Sequence, residues 1–356
     1  MKCLVWDLDR TLWAGTLLEG FEPTLSDEVR ETIVELDRRG ILQSVASRND
    51  HDHAWEWLEK LGVAEYFVLP RIGWGAKSES VREIADKLNF ALDTIAFVDD
   101  QPTERAEVTY HLPEVRVYEA ERVAELVGLQ EFTPATITVD SARRREMYQA
   151  GFRRDTARAE HAGPDEEFLR SLDLVMTISR ATEYELARAE ELTLRTSQMN
   201  ATGVHYSDED LRALLADPRH EVLVVTMADR FGPHGAVGLL LLEKLGRAWH
   251  LKLLATSCRV VAFGAGAVLL RWLATEAAEA DAHLVADFKK TERNRMMEVA
   301  YRFAGFRTED CACLADVGTA NRGTANRGTG DVQHLHLVPQ RHEPPTTMTL
   351  DAVRLA

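Results

Sequence analysis

The first 120 residues alternate short apolar runs with amphipathic stretches that are long enough to form helices. The apolar runs predict strands at 3–6, 41–46, 66–69, 94–98 and 115–118. A serine cap at Ser26, a proline opening the last stretch and the apolar periodicity predict helices at 26–39, 53–61, 77–88 and 102–111. Such alternation is typical of a parallel sheet with helices on both faces, so we expect an α/β domain.

Acidic and polar residues stand at the ends of the predicted strands and at the start of one helix. They are Asp7, Asp9, Ser47, Lys77, Asp99 and Asp100. The carboxyl ends of parallel strands meet at one edge, so we expect these side chains to converge. Clustered carboxylates repel each other and lose hydration, and a divalent cation offsets both effects. The set therefore predicts a magnesium and phosphate site; the alternative is that each residue is an ordinary cap or turn residue.

The overall charge limits the classes of partner. The chain has 356 residues and a net charge of −16, which argues against non-specific nucleic-acid binding but leaves room for a local basic patch. No apolar run approaches the roughly 20 residues of a membrane span, and no signal peptide precedes the first strand. The four cysteines suggest no disulfide framework, so we expect a cytoplasmic protein without a membrane partner.

The second half has a different pattern, in which several strands follow one another without intervening helices. Strands are expected at 174–179, 221–227, 235–243, 248–255 and 283–285, followed by a late pair at 311–314 and 332–338. Helices are expected at 183–194 and 265–279, with another ending at 304. This mixture predicts an α+β domain.

These patterns give a provisional division of the chain. The first domain is placed at 1–130, a linker and charged helix at 131–165, and the second domain at 166–340. The tandem repeat T-A-N-R-G-T-A-N-R-G-T predicts an inserted flexible loop near 316–330. The Pro- and Thr-rich end, 341–356, is expected to be a loose tail.

Cys258 is the candidate nucleophile of the second half. It lies between an apolar strand and a glycine-containing turn that opens a helix, where Arg259 and the helix terminus would lower the pKa of its thiol. If the neighbouring strands form a hairpin, His234 can reach it as a base; the alternatives are a packing thiol and a plain turn histidine. Cys311 and Cys313, in C-A-C, have few potential ligands nearby in the sequence and are interpreted as incidental strand cysteines.

The order D-x-D-x-T, serine, lysine, D-D resembles that of the haloacid dehalogenase (HAD) phosphohydrolase superfamily over about residues 1–120. The resemblance implies a Rossmannoid, HAD-like domain, and the short segment 12–23 leaves no room for a large cap. It also implies that Asp7 is the nucleophile and Asp9 the general acid and base. Ser47 and Lys77 would hold the phosphoryl group, and Asp99, the Asp7 carboxylate and the Asp9 carbonyl would hold Mg²⁺.

Motifs along nearly the whole chain resemble the FkbH-like family, which joins a HAD-like domain to a GNAT-like acyltransferase domain. They are W-D-L-D-x-T-L-W-x-G at 6–15, A-S-R-N-D at 46–50, V-D-D-x-P-x-E-R at 98–105, R-T-S-Q-M-N at 195–200, F-G-x-H-G-x-V-G at 231–238, S-C-R-V at 257–260 and N-x-x-x-x-x-x-Y-x-x-x-G-F at 294–306.

This resemblance implies a glyceryl transferase and phosphatase of polyketide biosynthesis. The small three-carbon substrate would be D-1,3-bisphosphoglycerate, whose glyceryl group would form a thioester on Cys258. Dephosphorylation would occur at Asp7 with Mg²⁺, and the glyceryl group would pass to the phosphopantetheine thiol of an acyl carrier protein. Residues expected to contact the acyl group or pantetheine are Gln198, Asn200, Arg259, Gly264 and Asn294.

Two departures from the family pattern bear on the substrate. Arg10 replaces the usual asparagine, and its charge beside the proposed metal site could either bind a substrate phosphate or perturb the metal. After S-C-R-V the chain continues V-A-F-G-A-G instead of leucine-Gly-Arg-Gly-Val-Glu, although Gly264 and Gly266 can keep a turn for close approach. The alternatives are the same chemistry on another small acyl phosphate, a stand-alone Mg²⁺-dependent phosphatase, a non-enzymatic carrier-docking protein and an acetyl-CoA-dependent acetyltransferase.

Overall fold

The computed structural model describes residues 1–134, 137–196, 198–320 and 332–356. It forms two compact units, Met1–Phe152 and Arg153–Ala356. The chain passes from one unit to the other inside the helix Arg144–Glu160, within the segment expected to link the domains. Within the described part of the chain, no helix has both the length and the apolar character needed to cross a bilayer.

The first unit is built on a five-stranded, fully parallel sheet. Its strands are β1 (Cys3–Trp6), β2 (Leu42–Ser47), β3 (Arg71–Ile72), β4 (Ile95–Asp99) and β5 (Arg116–Glu119). Their spatial order is β3-β2-β1-β4-β5, so β1 is central and is buried at every residue. This confirms the expected α/β parallel sheet, and the segment after β1 contains only a short 3-10 turn, Leu17–Glu19, in place of a large cap.

Side chains alternate between the two faces of β1, and each face packs under a different pair of helices. Leu4 and Trp6 share a core with α1 (Asp27–Arg38) and α2 (His51–Lys60). Cys3 and Val5 share a core with α3 (Lys77–Leu88) and α4 (Pro102–His111). Because both faces are covered, the strand is apolar throughout, and only the residues beyond its carboxyl end are polar.

The third predicted strand, 66–69, is wrong. The chain forms a 3-10 turn at Ala64–Tyr66, and Phe67 makes only an isolated bridge with Gln43. Leu69 then adopts a φ of 49°, which interrupts the extended backbone. The paired strand, β3, begins after this residue, whereas the predicted helices at 77–88 and 102–111 are confirmed at their bounds.

The second unit contains a seven-stranded mixed sheet in the order β11-β10-β9-β8-β7-β6-β12. Its strands are β6 (Val175–Arg180), β7 (His220–Asp229), β8 (Gly232–Leu245), β9 (Ala248–Thr256), β10 (His283–Phe288), β11 (Gln333–Leu337) and β12 (Thr349–Ala352). The pairs β9–β10 and β6–β12 are parallel, and all other neighbours are antiparallel. The predicted α+β arrangement is confirmed.

Helices cover both faces of this sheet. After α5 (Val139–Ala142) and α6 (Arg144–Glu160) in the linking region, the helices are α7 (Asp165–Ser171), α8 (Leu186–Arg195), α9 (Asp208–Ala216), α10 (Ala265–Glu279), α11 (Arg295–Phe303) and α12 (Leu314–Ala320). On β8, Leu240 and Leu242 pack in one core with residues of α10 and α11, while Leu239 and Leu241 pack in another with residues of α8 and α9. The alternation of leucines along one strand thus fills both layers.

Two expectations for the carboxyl-terminal part are wrong. Residues 341–356 are not a loose tail, because Thr349–Ala352 pair in parallel with β6 and complete the sheet edge. Cys311 and Cys313 are not strand residues; they lie in a turn immediately before α12. The predicted loop near 316–330 falls partly on α12, and its residues 321–330 lie outside the described residues.

Candidate active sites

The carboxyl edge of the parallel sheet brings together the first set of predicted residues. Asp7 follows β1, Ser47 ends β2, Asp99 ends β4, and Lys77 opens α3. All four are buried: Asp7 and Lys77 are 4% exposed, Ser47 is 3% exposed and Asp99 is fully buried. Adjacent parallel strands end at the same level, which explains why residues distant in sequence meet here.

Lys77 is the cation at the centre of this cluster. Its Nζ donates to Asp7 Oδ1, to Asp99 Oδ2 at 3.1 Å and to the Ala46 carbonyl at 2.9 Å. Burial by itself lowers the pKa of Lys77, but the two carboxylates outweigh burial and raise the pKa above its usual value. The lysine thus stays charged and holds two carboxylates that would otherwise repel each other.

Asp100 is the carboxylate whose role in the cluster was not assigned from the sequence. Ligand atoms of Asp7, Asp99 and Asp100 all lie within 4.8 Å of one another. Asp99 Oδ1 accepts a hydrogen bond from the backbone N–H of Gln101 at 2.7 Å, whereas Asp100 Oδ1 is buried without a hydrogen-bond partner. Burial raises the pKa of all three carboxyl groups. An unpartnered oxygen among clustered carboxylates fits a hard divalent cation such as Mg²⁺.

The backbone of the D-D pair is fixed by residues of the same two motifs. Arg105 Nη1 donates to the carbonyl oxygens of Asp99 at 2.9 Å and Asp100 at 2.8 Å. The Thr11 hydroxyl accepts from the backbone N–H of Asp100 at 3.0 Å. These contacts give a physical role to the threonine of D-x-D-x-T and to the arginine of V-D-D-x-P-x-E-R, neither of which was assigned from the sequence.

Asp9 is hydrogen-bonded to residues that follow it in the chain and, through Asn49, to the cluster. Its Oδ1 accepts from Trp13 Nε1 at 2.9 Å and from the backbone N–H of Leu17 at 3.2 Å, and its Oδ2 accepts from Asn49 Nδ2 at 3.1 Å. Asn49 Nδ2 also lies 3.3 Å from Ser47 Oγ. Asn49, which the sequence did not single out, therefore links the predicted acid and base to the predicted phosphate-binding serine.

Arg10 lies at the rim of this site. Its side chain is 60% exposed and its Nη2 is 3.5 Å from Glu19 Oε1. The residue adopts a φ of 56°, in the left-handed region that asparagine tolerates better than arginine. Arg10 is near enough to Asp100 to lower the pKa of that carboxyl, although burial of Asp100 outweighs this effect.

In the second unit, Cys258 is exposed at the end of β9. It begins the 3-10 turn Cys258–Phe263, whose cap is Ser257: the serine hydroxyl accepts from the backbone N–H and Nε of Arg259 at 3.4 and 3.3 Å. Gly264 ends the turn with a φ of 73°, and a Cβ there would meet open space. Glycine suits this position because of its positive φ, since there is space for a larger side chain.

The backbone of His234 lies near the turn that begins at Cys258, but the imidazole of His234 contacts other residues. His234 Nε2 lies 3.1 Å from Asp229 Oδ2, which also accepts from Arg154 Nε at 2.5 Å. Although burial raises it, the pKa of Asp229 is held well below its usual value by these two neighbours. Arg259 Nη2 donates to the His234 carbonyl at 3.4 Å, so the turn of Cys258 is tied to the His234 backbone. The role of His234 as a base for Cys258 stays a prediction.

The parallel strands β9 and β10 pair only over four residues each, from Ala248 to Leu251 and from His283 to Ala286. Further along, the chain at 199–201 lies beside β9: the Thr256 N–H donates to the Met199 carbonyl at 2.8 Å and the Ala201 N–H to the Leu254 carbonyl at 3.0 Å. The Lys289 N–H donates to the Ala201 carbonyl at 3.0 Å. This segment thus occupies the gap where the two strands separate, next to the turn of Cys258.

Asn200 and Asn294 meet in this gap, and both are fully buried. Asn294 Nδ2 donates to the carbonyls of Asn200 at 3.1 Å and Lys289 at 2.9 Å. Asn200 Oδ1 accepts from the Gly203 N–H at 2.8 Å, and its Nδ2 is buried without a hydrogen-bond partner. Asn294 therefore ties the segment in place, while Gln198 is exposed. Their predicted contacts to an acyl group stay predictions.

No protein-family model matches the chain, and no curated protein matches it. Among solved structures, it is similar to the N-terminal part of the protein BF1531 from Bacteroides fragilis, containing a phosphatase domain complexed with Mg. The identity is 30% over 38% of this chain and 41% of that chain, with a TM-score of 0.35. This chain thus spans about two fifths of the length of that relative.

Acetyltransferases are also among the similar structures. Ard1 from Thermoplasma volcanium is 12% identical over 47% of this chain and 99% of its own, with a TM-score of 0.34. The ribosomal-protein-S18-alanine N-acetyltransferase from Escherichia coli is 15% identical over 48% of this chain and 97% of its own, with a TM-score of 0.33.

Proposed function

We propose that this chain is a two-site enzyme that combines a Mg²⁺-dependent phosphatase with an acyltransferase acting through Cys258. The observation that carries the proposal is the buried cluster in which Lys77 bridges Asp7 and Asp99 beside the unpartnered oxygen of Asp100. Burying such a cluster of charges costs folding free energy, and clusters of this kind are typical of functional sites. Phosphoryl transfer is a reaction that requires these residue types. The resemblance to the FkbH-like family supports the finer assignment, in which D-1,3-bisphosphoglycerate is the substrate and an acyl carrier protein is the acceptor.

In the phosphatase reaction, an Asp7 oxygen attacks the phosphorus of the phosphate ester, and the bond from phosphorus to the glyceryl oxygen breaks. Asp9, oriented by Trp13 and Asn49, gives its proton to the leaving alcohol. Asp9 then takes a proton from the water that hydrolyses the aspartyl phosphate, releasing inorganic phosphate. Ser47 binds the phosphoryl oxygens, and Lys77 joins it by exchanging one of its three hydrogen bonds for a phosphoryl oxygen, whose charge it neutralises in part.

The same cluster suits Mg²⁺ as the cofactor. Asp7, Asp99 and Asp100 would supply carboxylate oxygens, and the carbonyl of Asp9 is a further candidate from the family resemblance. Bound Mg²⁺ supplies charge neutralisation for the phosphoryl group during transfer. Lys77 already neutralises one charge of the three carboxylates, which leaves a net negative site for the cation.

In the acyl transfer, the Cys258 thiolate attacks the carbonyl carbon of the acyl phosphate. The carbon–sulfur bond forms, the bond from carbon to the phosphate oxygen breaks, and inorganic phosphate leaves. The thiol of the carrier then attacks the thioester, so that the acyl group moves to the carrier and Cys258 is regenerated. The exposed position of Cys258 at the end of β9 gives both partners access to the sulfur.

Intact-protein mass spectrometry tests both sites in one experiment. The protein is mixed with Mg²⁺, freshly generated 1,3-bisphosphoglycerate and a phosphopantetheinylated carrier. We expect a glyceryl adduct on Cys258 and then on the carrier, together with phosphate release. Cys258→Ala should abolish both adducts, and Asp7→Asn should leave a phosphoglyceryl adduct or none.

Two controls separate the outcomes. Tandem mass spectrometry of the digested adduct should place the glyceryl group on Cys258 and not on Cys311, a partly accessible thiol of the same unit. The ester phosphatase activity of Cys258→Ala, assayed on 3-phosphoglycerate, should equal that of the unchanged protein. Phosphate release without any adduct would reduce the function to a stand-alone phosphatase. Adducts formed only with another acyl phosphate would keep the two-site chemistry and change its substrate.

A further inference from the structure

A cluster of two histidines and two cysteines lies in the second unit, apart from the residues assigned to catalysis. The residues are His283, Cys311, Cys313 and His336. One ligand atom from each lies within 4.8 Å of the ligand atoms of the other three. We propose that these four side chains form a structural zinc site.

The sheet register explains how the two histidines meet. His283 is the first residue of β10, and His336 of the antiparallel strand β11 is the register partner of Val285. Directly paired residues share a face of a sheet, and so do residues two apart on one strand. His283 and His336 therefore project from the same face as diagonal neighbours, and His336 Nε2 lies 3.0 Å from His283 Nδ1.

The two cysteines approach this pair from the turn before α12. Cys311 Sγ lies 3.4 Å from His283 Nδ1. Cys313 is 8% exposed and packs in a small apolar cluster with Val285 of β10 and Val317 of α12. The C-x-C spacing thus places both thiols over the same end of the β10–β11 pair.

The spacing of the ligand atoms suits tetrahedral zinc. Zn–N bonds of about 2.1 Å and Zn–S bonds of about 2.3 Å in a tetrahedron separate the ligand atoms by roughly 3.4 to 3.8 Å. His283 Nδ1 lies 3.0 Å from His336 Nε2 and 3.4 Å from Cys311 Sγ, close to this range. Small shifts of the side chains would therefore allow the ion to enter. Two thiolates and two neutral imidazoles are a ligand set that zinc uses in closed structural sites.

The alternative metals and positions fit less well. Mg²⁺ and Ca²⁺ prefer oxygen ligands, and this cluster offers none. In the neighbouring trio of His250, Asp287 and His334, one carboxylate oxygen already bridges the two imidazoles: Asp287 Oδ1 lies 2.7 Å from His250 Nε2 and 2.8 Å from His334 Nδ1. The ion at the four-residue cluster would fasten the turn at 311–313 to the strands β10 and β11.

The test measures zinc in the 356-residue protein with Mg²⁺ in excess, so that the cation also has access to the carboxylate cluster. After reconstitution with one equivalent of Zn²⁺ and desalting, we expect about one zinc per chain by mass spectrometry of the metal. Replacement by Co²⁺ should produce the visible bands of tetrahedral cobalt and a near-ultraviolet thiolate-to-cobalt charge-transfer band. Cys311→Ser and Cys313→Ser should each weaken zinc binding at least about tenfold.

Matched variants locate the ion. Cys258→Ser removes the exposed cysteine elsewhere, and His334→Gln disrupts the neighbouring trio; both should retain the zinc and the charge-transfer band. Uptake of less than about a tenth of an equivalent of Zn²⁺ by the unchanged protein would overturn the proposal. Loss of zinc in His334→Gln, with zinc retained in the cysteine variants, would overturn it as well. If a cysteine variant fails to fold, the cobalt spectrum of the unchanged protein decides, because a site without thiolates gives no charge-transfer band.

Discussion

The two candidate active sites differ in how the protein holds them. At the first, Asp7, Asp99 and Lys77 are almost completely buried, and each comes from a different strand end or helix start of one parallel sheet. At the second, Cys258 stands exposed at the end of one strand. Its surroundings, including His234 and Asn294, direct their polar groups toward other parts of the unit.

Because of this difference, we expect substitutions at the two sites to affect stability and activity differently. In the first site the groups proposed to react are also buried charges of the core, so we expect a substitution there to change folding as well as chemistry. In the second site the sulfur proposed to react belongs to the exposed Cys258, whereas buried residues such as Asn294 hold the neighbouring segments of the sheet together. Substitutions should therefore have coupled effects at the first site and separable effects at the second.

The largest effect should come from Asp7→Asn. Loss of the nucleophile should lower the kcat of phosphate release on the order of 10³-fold or more, because the amide cannot form the aspartyl phosphate. A steady-state phosphate assay with Mg²⁺ measures it. Asp93→Asn changes an exposed aspartate of the same unit and should have no effect. Full activity in Asp7→Asn would remove this residue from the reaction.

Lys77→Met tests the coupling of charge and stability. Without the ammonium group, the buried carboxylates of Asp7 and Asp99 lose their common cation, and the free energy of unfolding of this unit should fall by about 3 kcal/mol. Denaturant unfolding without metal measures the change, and added Mg²⁺ should restore part of it. Lys87→Met, on the same helix, breaks only an exposed pair with Glu83 and should cost less than about 0.5 kcal/mol. Equal effects of the two variants would contradict the coupling.

Asn294→Ala addresses the second site, where stability and chemistry should separate. The amide of Asn294 donates to buried carbonyls of Asn200 and Lys289, so its loss should cost about 2 kcal/mol. Cys258→Ala should change stability by less than about 0.5 kcal/mol and abolish acyl transfer. Thermal unfolding and the adduct assay measure both. Unchanged stability with lost transfer in Asn294→Ala would instead make this residue a contact of the acyl group.

Local patterns predicted much of the fold because most elements carry their own signals. The helices at 77–88, 102–111 and 265–279 have the predicted bounds. The failures depend on information that is not local. Leu69 adopts a positive φ that no propensity indicates, and the pairing of Thr349–Ala352 with β6 joins segments far apart in sequence.

The same distinction applies to the sites. The carboxyl ends of parallel strands lie at one edge of a sheet, so the convergence of Asp7, Ser47 and Asp99 could be predicted from their positions at the ends of predicted strands. The unpartnered oxygen of Asp100 and the bridge through Asn49 depend on side-chain geometry that a pattern does not contain. The proximity of Cys311 and Cys313 to two histidines could not be predicted, because the histidines come from β10 and β11, which only the sheet register brings together.

The smallest effect is expected for Arg10→Asn. The guanidinium group of Arg10 is exposed and pairs with Glu19 at the rim, and asparagine accepts the left-handed backbone at this position. Stability should change by less than about 0.5 kcal/mol, and kcat/KM for the phosphate ester by less than about threefold. Glu19→Gln is the matched variant, because it frees Arg10 without removing its charge. A KM that rises tenfold in Arg10→Asn and falls in Glu19→Gln would instead mean that Arg10 turns from Glu19 to the substrate phosphate, and the rim would then share the charge balance of the buried site.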